Sequence, residues 1–409
     1  MADTRTERSI LVFPKRFMVV TGIWRASSIT SHPTMQKVYV AYCIFIKLYY
    51  TLFVTSLITE FALSVASTNS VEFTQLSYII SALTMFYATL VCDTVNFKRI
   101  ISYIEDPVSP LARREDEEIS KLHSRHLKIG KVVSTILVLT VASTGSAVVF
   151  ENIWRNVVNI KHHSGTNDTA LSIANLYYFG IFRRPKIVFA FVEDFLCVFN
   201  TILTLATKSI TLTCMIFASY ALQELQLGFR RIGAERNFKL NLEQVISQHR
   251  NVISYVNLLN RMVKYLILFE CVFESLNVAA ISVQMTKSES QSFLSLALYL
   301  SYVLIQIFLL GWTANEIKIQ FILHSQSVAL SDALYESPWY EQSESIKKVI
   351  LVMIKLAQKP LTLTVGPFDA MTMQSALAVT HLYEKFNFST VPTGMFNSRS
   401  SRHLIRMLL

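Results

Sequence analysis

Tyr299 and Tyr302 stand three residues apart in an apolar stretch running from 292 to 318. On a helix that spacing puts both phenols on one face, where they can stack on a small molecule and hydrogen-bond to it. Ionisable residues interrupt similar stretches: Lys47, Lys208, the adjacent Glu193 and Asp194, and Glu270 with Glu274 four residues on. A charge in an apolar medium must pair, snorkel or line a polar path. The lysines are expected to snorkel or to pair with carboxylates, and the carboxylates either to pair internally or to draw cations toward a permeation path. His123-x-x-His126 and His162-His163 lack the carboxylate or cysteine pattern of a metal site and read as solvated loop histidines. No Gly-rich phosphate loop, nucleophile elbow or zinc motif appears, so nothing points to a catalytic residue, a metal or a cofactor.

The elements that carry these residues follow from composition. Of 409 residues, 52% are apolar and only 16% charged, and the mean hydropathy is +0.40. A soluble surface of this size would carry more charge, and several apolar runs are long enough to cross a bilayer. Gly is scarce, so the spans read as helices rather than barrel strands. Seven are expected, at 38–66, 71–95, 131–151, 186–220, 263–285, 292–318 and 367–390. The N-terminal stretch lacks the apolar core and cleavage site of a signal peptide, so the first span is expected to direct insertion. All five cysteines fall in apolar runs without metal spacing and read as small buried residues.

The net charge of +10 reads through the positive-inside rule rather than as a nucleic-acid signal. Connecting segments on the N-terminal side carry 23 Lys and Arg and those on the other side eight, which places the N-terminus in the cytoplasm. Both N-x-[ST] sequons, at Asn167 and Asn387, fall on the side this makes external, and Asn167 is the candidate glycosylation site. The expected organisation is a cytoplasmic segment 1–37, six helices with cytoplasmic extensions over 38–330, an amphipathic helix at 331–360, a last span at 361–391 and an external tail at 392–409.

Neither Gly nor Pro interrupts Lys186 to Leu227 or Ala234 to Leu310. The first of these would make a helix roughly 60 Å long at ~1.5 Å per residue, about twice the ~30 Å hydrocarbon core. Its end must project from the membrane. Before the fifth span, Val245, Ile246, Val252, Ile253, Val256 and Leu259 recur with helical spacing. Between Trp339 and Pro360, Ile346, Val349, Ile350, Met353, Leu356 and Ala357 share one face of a helix that carries Lys348, Lys355 and Lys359 on the other. Such a helix fits a cytoplasmic bundle better than lipid, and its apolar face can bury within the chain or against a second subunit.

The order Ala333-Leu334-Tyr335, Trp339-Tyr340, Lys347-Lys348, Gln358-Lys359-Pro360-Leu361 and Gly366, with Gly311-Trp312 and Asn315-Glu316 before it, resembles the C-terminal signature of insect odorant receptors. The resemblance implies an all-α membrane protein of seven transmembrane helices with its N-terminus inside. It implies an odorant-gated, non-selective cation channel in the plasma membrane of a sensory neuron. Such channels are tetramers held by a cytoplasmic anchor domain, and a ligand-tuning subunit assembles with the co-receptor Orco.

In that family the odorant pocket lies between spans two, three, four and six. Residues here of fitting type are Tyr78, Ser81 and Met85, Thr144 and Val148, Phe191 and Phe195, and the favoured pair Tyr299 and Tyr302. The anchor would use Trp339, Ile346, Val349, Ile350, Met353 and Leu356, and the pore mouth Glu384, Lys385, Phe388 and Ser389. The chain departs from the family at its end, where HLYEKFNFSTV replaces an aromatic run and further residues follow. The partners expected are therefore Orco, a volatile ligand and the lipid bilayer, with no nucleic acid.

Three rivals differ in what they require. A heptahelical G-protein-coupled receptor needs the opposite orientation. A secondary transporter needs two related halves with broken helices, which the sequence does not show. A gustatory receptor shares the architecture but fits the Trp339 and Gln358-Lys359-Pro360 signature less well.

Overall fold

The computed structural model describes residues 10–24, 33–66, 73–105, 117–162, 186–232, 238–287, 290–325, 344, 347–348, 362–367 and 370–372. Among these residues the protein is helical, with no strand and a single isolated bridge between Thr364 and Ala370. The helices are α1 (Val12–Val20), α2 (Pro33–Ala66), α3 (Phe73–Asp93), α4 (Val95–Glu105), α5 (Glu117–His162), α6 (Lys186–Ile232), α7 (Phe238–Lys287) and α8 (Ser290–Ser325). Five contain segments long and apolar enough to cross a membrane: Pro33–Leu63, Glu117–Ala147, Val198–Gly228, Glu243–Val278 and Leu296–Gln320. α3 adds the shorter apolar segment Ala82–Cys92.

α6 is the central helix, packed by α1, α3, α5, α7 and α8. Its buried surface is rich in hydroxyls, including Thr204, Thr207, Ser209 and Thr213. Each satisfies its donor on its own helix: Thr204 donates to Asn200 O at 2.9 Å, Thr207 to Leu203 O at 3.0 Å, Ser209 to Ala206 O at 3.1 Å and Thr213 to Ser209 O at 2.7 Å. Small side chains that need no outside partner let the neighbours approach closely. α2 is the opposite case. Val38, Phe45, Leu48 and Leu52 are all exposed, an apolar wall suited to lipid.

α2 is fixed inward at Tyr50, whose hydroxyl donates to Asn200 Oδ1 on α6 at 2.8 Å and lies 3.1 Å from Ala82 O on α3. All three groups sit in a buried junction. Tyr50→Phe leaves Asn200 Oδ1 without that donor and is expected to cost about 1–3 kcal/mol. Thermal unfolding of the solubilised protein checks this, and an unchanged midpoint would refute it.

The long helices extend as the missing breakers imply. α6 has 47 residues and α7 has 50. The apolar stripe before the fifth span is buried at Val245, Val252, Val256 and Leu259, with Ile246 packed at its edge. Tyr255 on the same stripe donates to Cys214 O on α6 at 2.9 Å, and Gln226 Nε2 on α6 donates to Gln320 O on α8 at 2.8 Å. Cys92 and Cys214 are buried, as expected of apolar fillers.

Within the stretch 71–95 one helix, α3, runs to its end at Asp93; beyond it Thr94 Oγ1 accepts the Phe97 N–H at 3.3 Å and restarts the chain as α4. α4 buries Phe97, Ile100, Ile101 and Ile104 on one face. Two expectations are corrected. The histidines at 123 and 126 are not in a loop but inside α5, and His126 is buried with its Nδ1 3.0 Å from Leu122 O and its ring edge-on to Tyr220. The segment 1–37 contains α1, docked on α6, with the Tyr39 and Tyr42 hydroxyls donating to Val19 O and Val20 O at its end.

The stretch expected to open the last span is a turn. Gly366 adopts φ +58°, and the Thr364–Ala370 bridge closes the turn around Pro367. Gly366 N–H donates to Lys264 O at 2.8 Å, and Thr364 N–H to Asn260 Oδ1 at 2.9 Å, so the turn is stapled to α7. Residues 368–369 and 373–390 lie outside the described residues, as do the anchor positions Trp339, Ile346, Val349, Ile350, Met353 and Leu356, the pore positions Glu384, Lys385, Phe388 and Ser389, and Asn167.

Candidate ligand-binding site

The Tyr299 and Tyr302 rings lie side by side on α8, with centroids 6.1 Å apart and planes within 16°. Both are partly buried against the core. Thr144 on α5 meets the same turn of α8. Its hydroxyl donates to Thr140 O at 2.8 Å and lies 3.4 Å from Leu298 O. Met85 on α3 is buried, with its sulfur 3.2 Å from Thr207 Oγ1 on α6. Tyr78 and Ser81 on α3, Val148 on α5, and Phe191 and Phe195 on α6 are helical, but their side chains lie outside the described residues.

One turn beyond Tyr302, the floor beneath the tyrosines becomes polar. Gln306, Lys208, Thr211 and Glu270 line a cavity of about 10 Å³ with Leu137, Leu212 and Leu310. Four helices meet there, and the space suits one water molecule. Gln306 Oε1 is buried without a hydrogen-bond partner among the described residues, an acceptor such a water would satisfy. Lys208 Nζ donates to Glu274 Oε1 at 2.6 Å, with both side chains largely buried, and Asn277 Nδ2 stands 3.5 Å from Glu274 Oε2. Glu270, one turn away on α7, is buried as well.

Of the two readings for these carboxylates, internal pairing is therefore the one realised at Glu274. Gln306 went unnoticed in the sequence, although its i, i+4 relation to Tyr302 places both on one face. The Glu193-Asp194 side chains lie outside the described residues, and Lys47 is exposed on α2.

The 7tm Odorant receptor family model matches residues 69–382. The chain belongs to the odorant receptor family. Odorant receptor 10 of Aedes albopictus is 32% identical over 167 residues, covering 39% of this chain and 43% of that protein. Odorant receptor Or2 of Anopheles gambiae is 26% identical over 186 residues, 42% of this chain and 48% of that protein. The chain thus spans less than half the length of these curated relatives it matches. The solved olfactory receptor OR5 from Machilis hrabei superposes with a TM-score of 0.74 over 92% of this chain and 98% of that one, at 13% identity. The same receptor in complex with eugenol gives 0.73 over 91% and 96%, at 14% identity. At that identity the likeness shows a shared helical fold. The odorant receptor family is a family of receptors rather than of enzymes, and the five helices long and apolar enough to cross a membrane accord with a multi-pass protein.

Proposed function

We propose that this odorant receptor is a ligand-tuning subunit, binding a small volatile molecule beside Tyr299 and Tyr302 and gating a non-selective cation channel assembled as a heterotetramer with Orco. The stacked tyrosine pair carries the reading. Two phenols side by side above a polar floor offer an aromatic wall and hydrogen-bonding groups to a ligand that is mostly apolar. Eugenol, bound in the structurally similar Machilis receptor, is a ligand of that kind. The N-terminus and the basic connectors face the cytoplasm in this reading, and the receptor resides in the plasma membrane with Asn167 outside.

Met85, Thr144 and the positions Tyr78, Ser81, Val148, Phe191 and Phe195 complete the proposed pocket wall. Trp339, Ile346, Val349, Ile350, Met353 and Leu356 supply the subunit anchor. Glu384, Lys385, Phe388 and Ser389 stand at the pore mouth.

The deciding experiment records odorant-evoked current in cells expressing the chain with Orco, without it, and Orco alone. Current that needs both chains supports the reading, whereas no ligand-dependent current from the pair across a broad odorant panel would sink it. Tyr302→Ala removes one ring of the stack, worth about 0.5–1.5 kcal/mol. A ligand seated there should need up to about tenfold more odorant for half-maximal current at unchanged surface expression. Equal loss for every odorant, with less receptor at the surface, would instead mark Tyr302 as a packing residue.

A further inference from the structure

A second cavity lies apart from the tyrosine pair. It is an open groove of about 610 Å³ on the outside of the bundle, between the first half of α5 and the second half of α8. Its lining is graded along its length. Lys121, Arg125 and Lys128 follow one another at i, i+4 and i+7 on α5, and the same stripe continues as Val132 and Ile136. Across the groove α8 supplies Trp312 toward the basic end and Phe308 toward the apolar end. Val132 is 58% and Phe308 53% exposed, far more than core residues tolerate, so the apolar half is open to whatever lies alongside the helices.

The charges are available as well. Glu117 reaches Lys121 Nζ at 2.7 Å, but both groups are well exposed and the pair is weak. Among the described residues no carboxylate pairs with Arg125 or Lys128. Glu316, the acidic residue of α8 one turn past Trp312, accepts from Gln320 Nε2 at 2.6 Å. A surface that is cationic at one end, carries a tryptophan in between and is apolar at the other matches a single kind of occupant: a molecule with an anionic head and a hydrocarbon tail.

We infer that this groove binds an anionic phospholipid, its phosphate held by Arg125 and Lys128 with Lys121 beside them, and one acyl chain laid along Val132, Ile136 and Phe308. Trp312 then sits at the level where indole rings collect in bilayers. Basic pockets between membrane helices recognise phosphorylated headgroups by the same combination of charge and depth. The bound leaflet is the cytoplasmic one, which alone rests on the orientation proposed above.

The test is native mass spectrometry of the full-length receptor in detergent, titrated separately with phosphatidylinositol 4,5-bisphosphate, phosphatidylserine and phosphatidylcholine. The two anionic lipids should bind at least about tenfold more tightly than phosphatidylcholine. R125A/K128A should abolish that preference, while K98A/R99A, which removes the same charge from exposed positions of α4, should keep it. V132S/F308S should weaken the lipids without changing binding of the soluble, chain-free inositol headgroup. The inference is overturned by equal binding of phosphatidylcholine, by equal losses in K98A/R99A, or by a photo-crosslinker at Val132 that captures another receptor subunit in membranes instead of lipid. None of these readouts involves odorant, so failure of the proposed sensing role leaves the result intact.

Discussion

Replacing Lys208 with methionine is expected to strip the receptor from the cell surface. The lysine and Glu274 meet at 2.6 Å with side chains only 9% and 12% exposed, and Glu270 lies buried one turn away. Removing the cation leaves carboxylates in the bundle without their counter-charge, and breaking a buried pair in this way costs about 3–5 kcal/mol. That is a large part of the ~5–15 kcal/mol by which folded proteins usually exceed their unfolded states. Removing both partners is different. In K208M/E274L the desolvation penalty goes with the attraction, and the double variant should recover much of the lost stability. Surface biotinylation together with thermal unfolding of solubilised receptor separates the cases. A K208M protein as stable and abundant as the parent would show that the pair contributes nothing, and a double variant worse than the single would overturn the argument about desolvation.

The second large effect is expected at Gly366. Its φ of +58° is a backbone state that residues with a side chain adopt at a cost of roughly 1–2 kcal/mol. A Cβ there would also come within 2.7 Å of Leu268 Cδ2 on α7. The Gly366 N–H to Lys264 O bond holds the turn at this point, so a side chain here requires Leu268 to shift beside the bond that positions the turn. Gly366→Val should reduce maximal odorant-evoked current per surface receptor at least about tenfold, the order expected when a strained residue of this kind displaces a packed turn. Gly366→Asn should be milder, because Asn is the side chain that tolerates the left-handed region best. Normal current per surface receptor in Gly366→Val would refute the role of the turn.

The long helices were plain in the sequence because so little could end them. Lys186 to Leu227 contains no Gly or Pro, and α6 runs unbroken from Lys186 to Ile232. The extension of α7 was equally legible, since Val245, Val252, Val256 and Leu259 repeat at helical spacing and all are buried. α1 and α4 were not. Each is about ten residues long and amphipathic, too short to register among windows suited to a span, and the break at Thr94 has neither Gly nor Pro to announce it. His126 shows the same limit, as a polar residue near the start of an apolar run whose neighbour, Tyr220, comes from a distant helix.

At the candidate site, i, i+3 spacing was enough to bring the two tyrosines together. The partner of Lys208 was beyond reach, because it depends on the rotation of α6 against α7 across 66 residues of sequence. Gly366-Pro367 carried a signal that admits two meanings. A Gly-Pro step can precede a helix or make a turn, and the hydrogen bonds to Asn260 and Lys264 decide for the turn.

α7 carries Asn260 and Lys264, which grip the turn, and Glu270 and Glu274, which face the polar floor under the tyrosines, on one uninterrupted rod. A rod of that kind resists bending over so few residues. Tilting it at either place would drag the other along, so a displacement of Glu270 and Glu274 would be carried to the turn at Gly366 by the helix backbone itself.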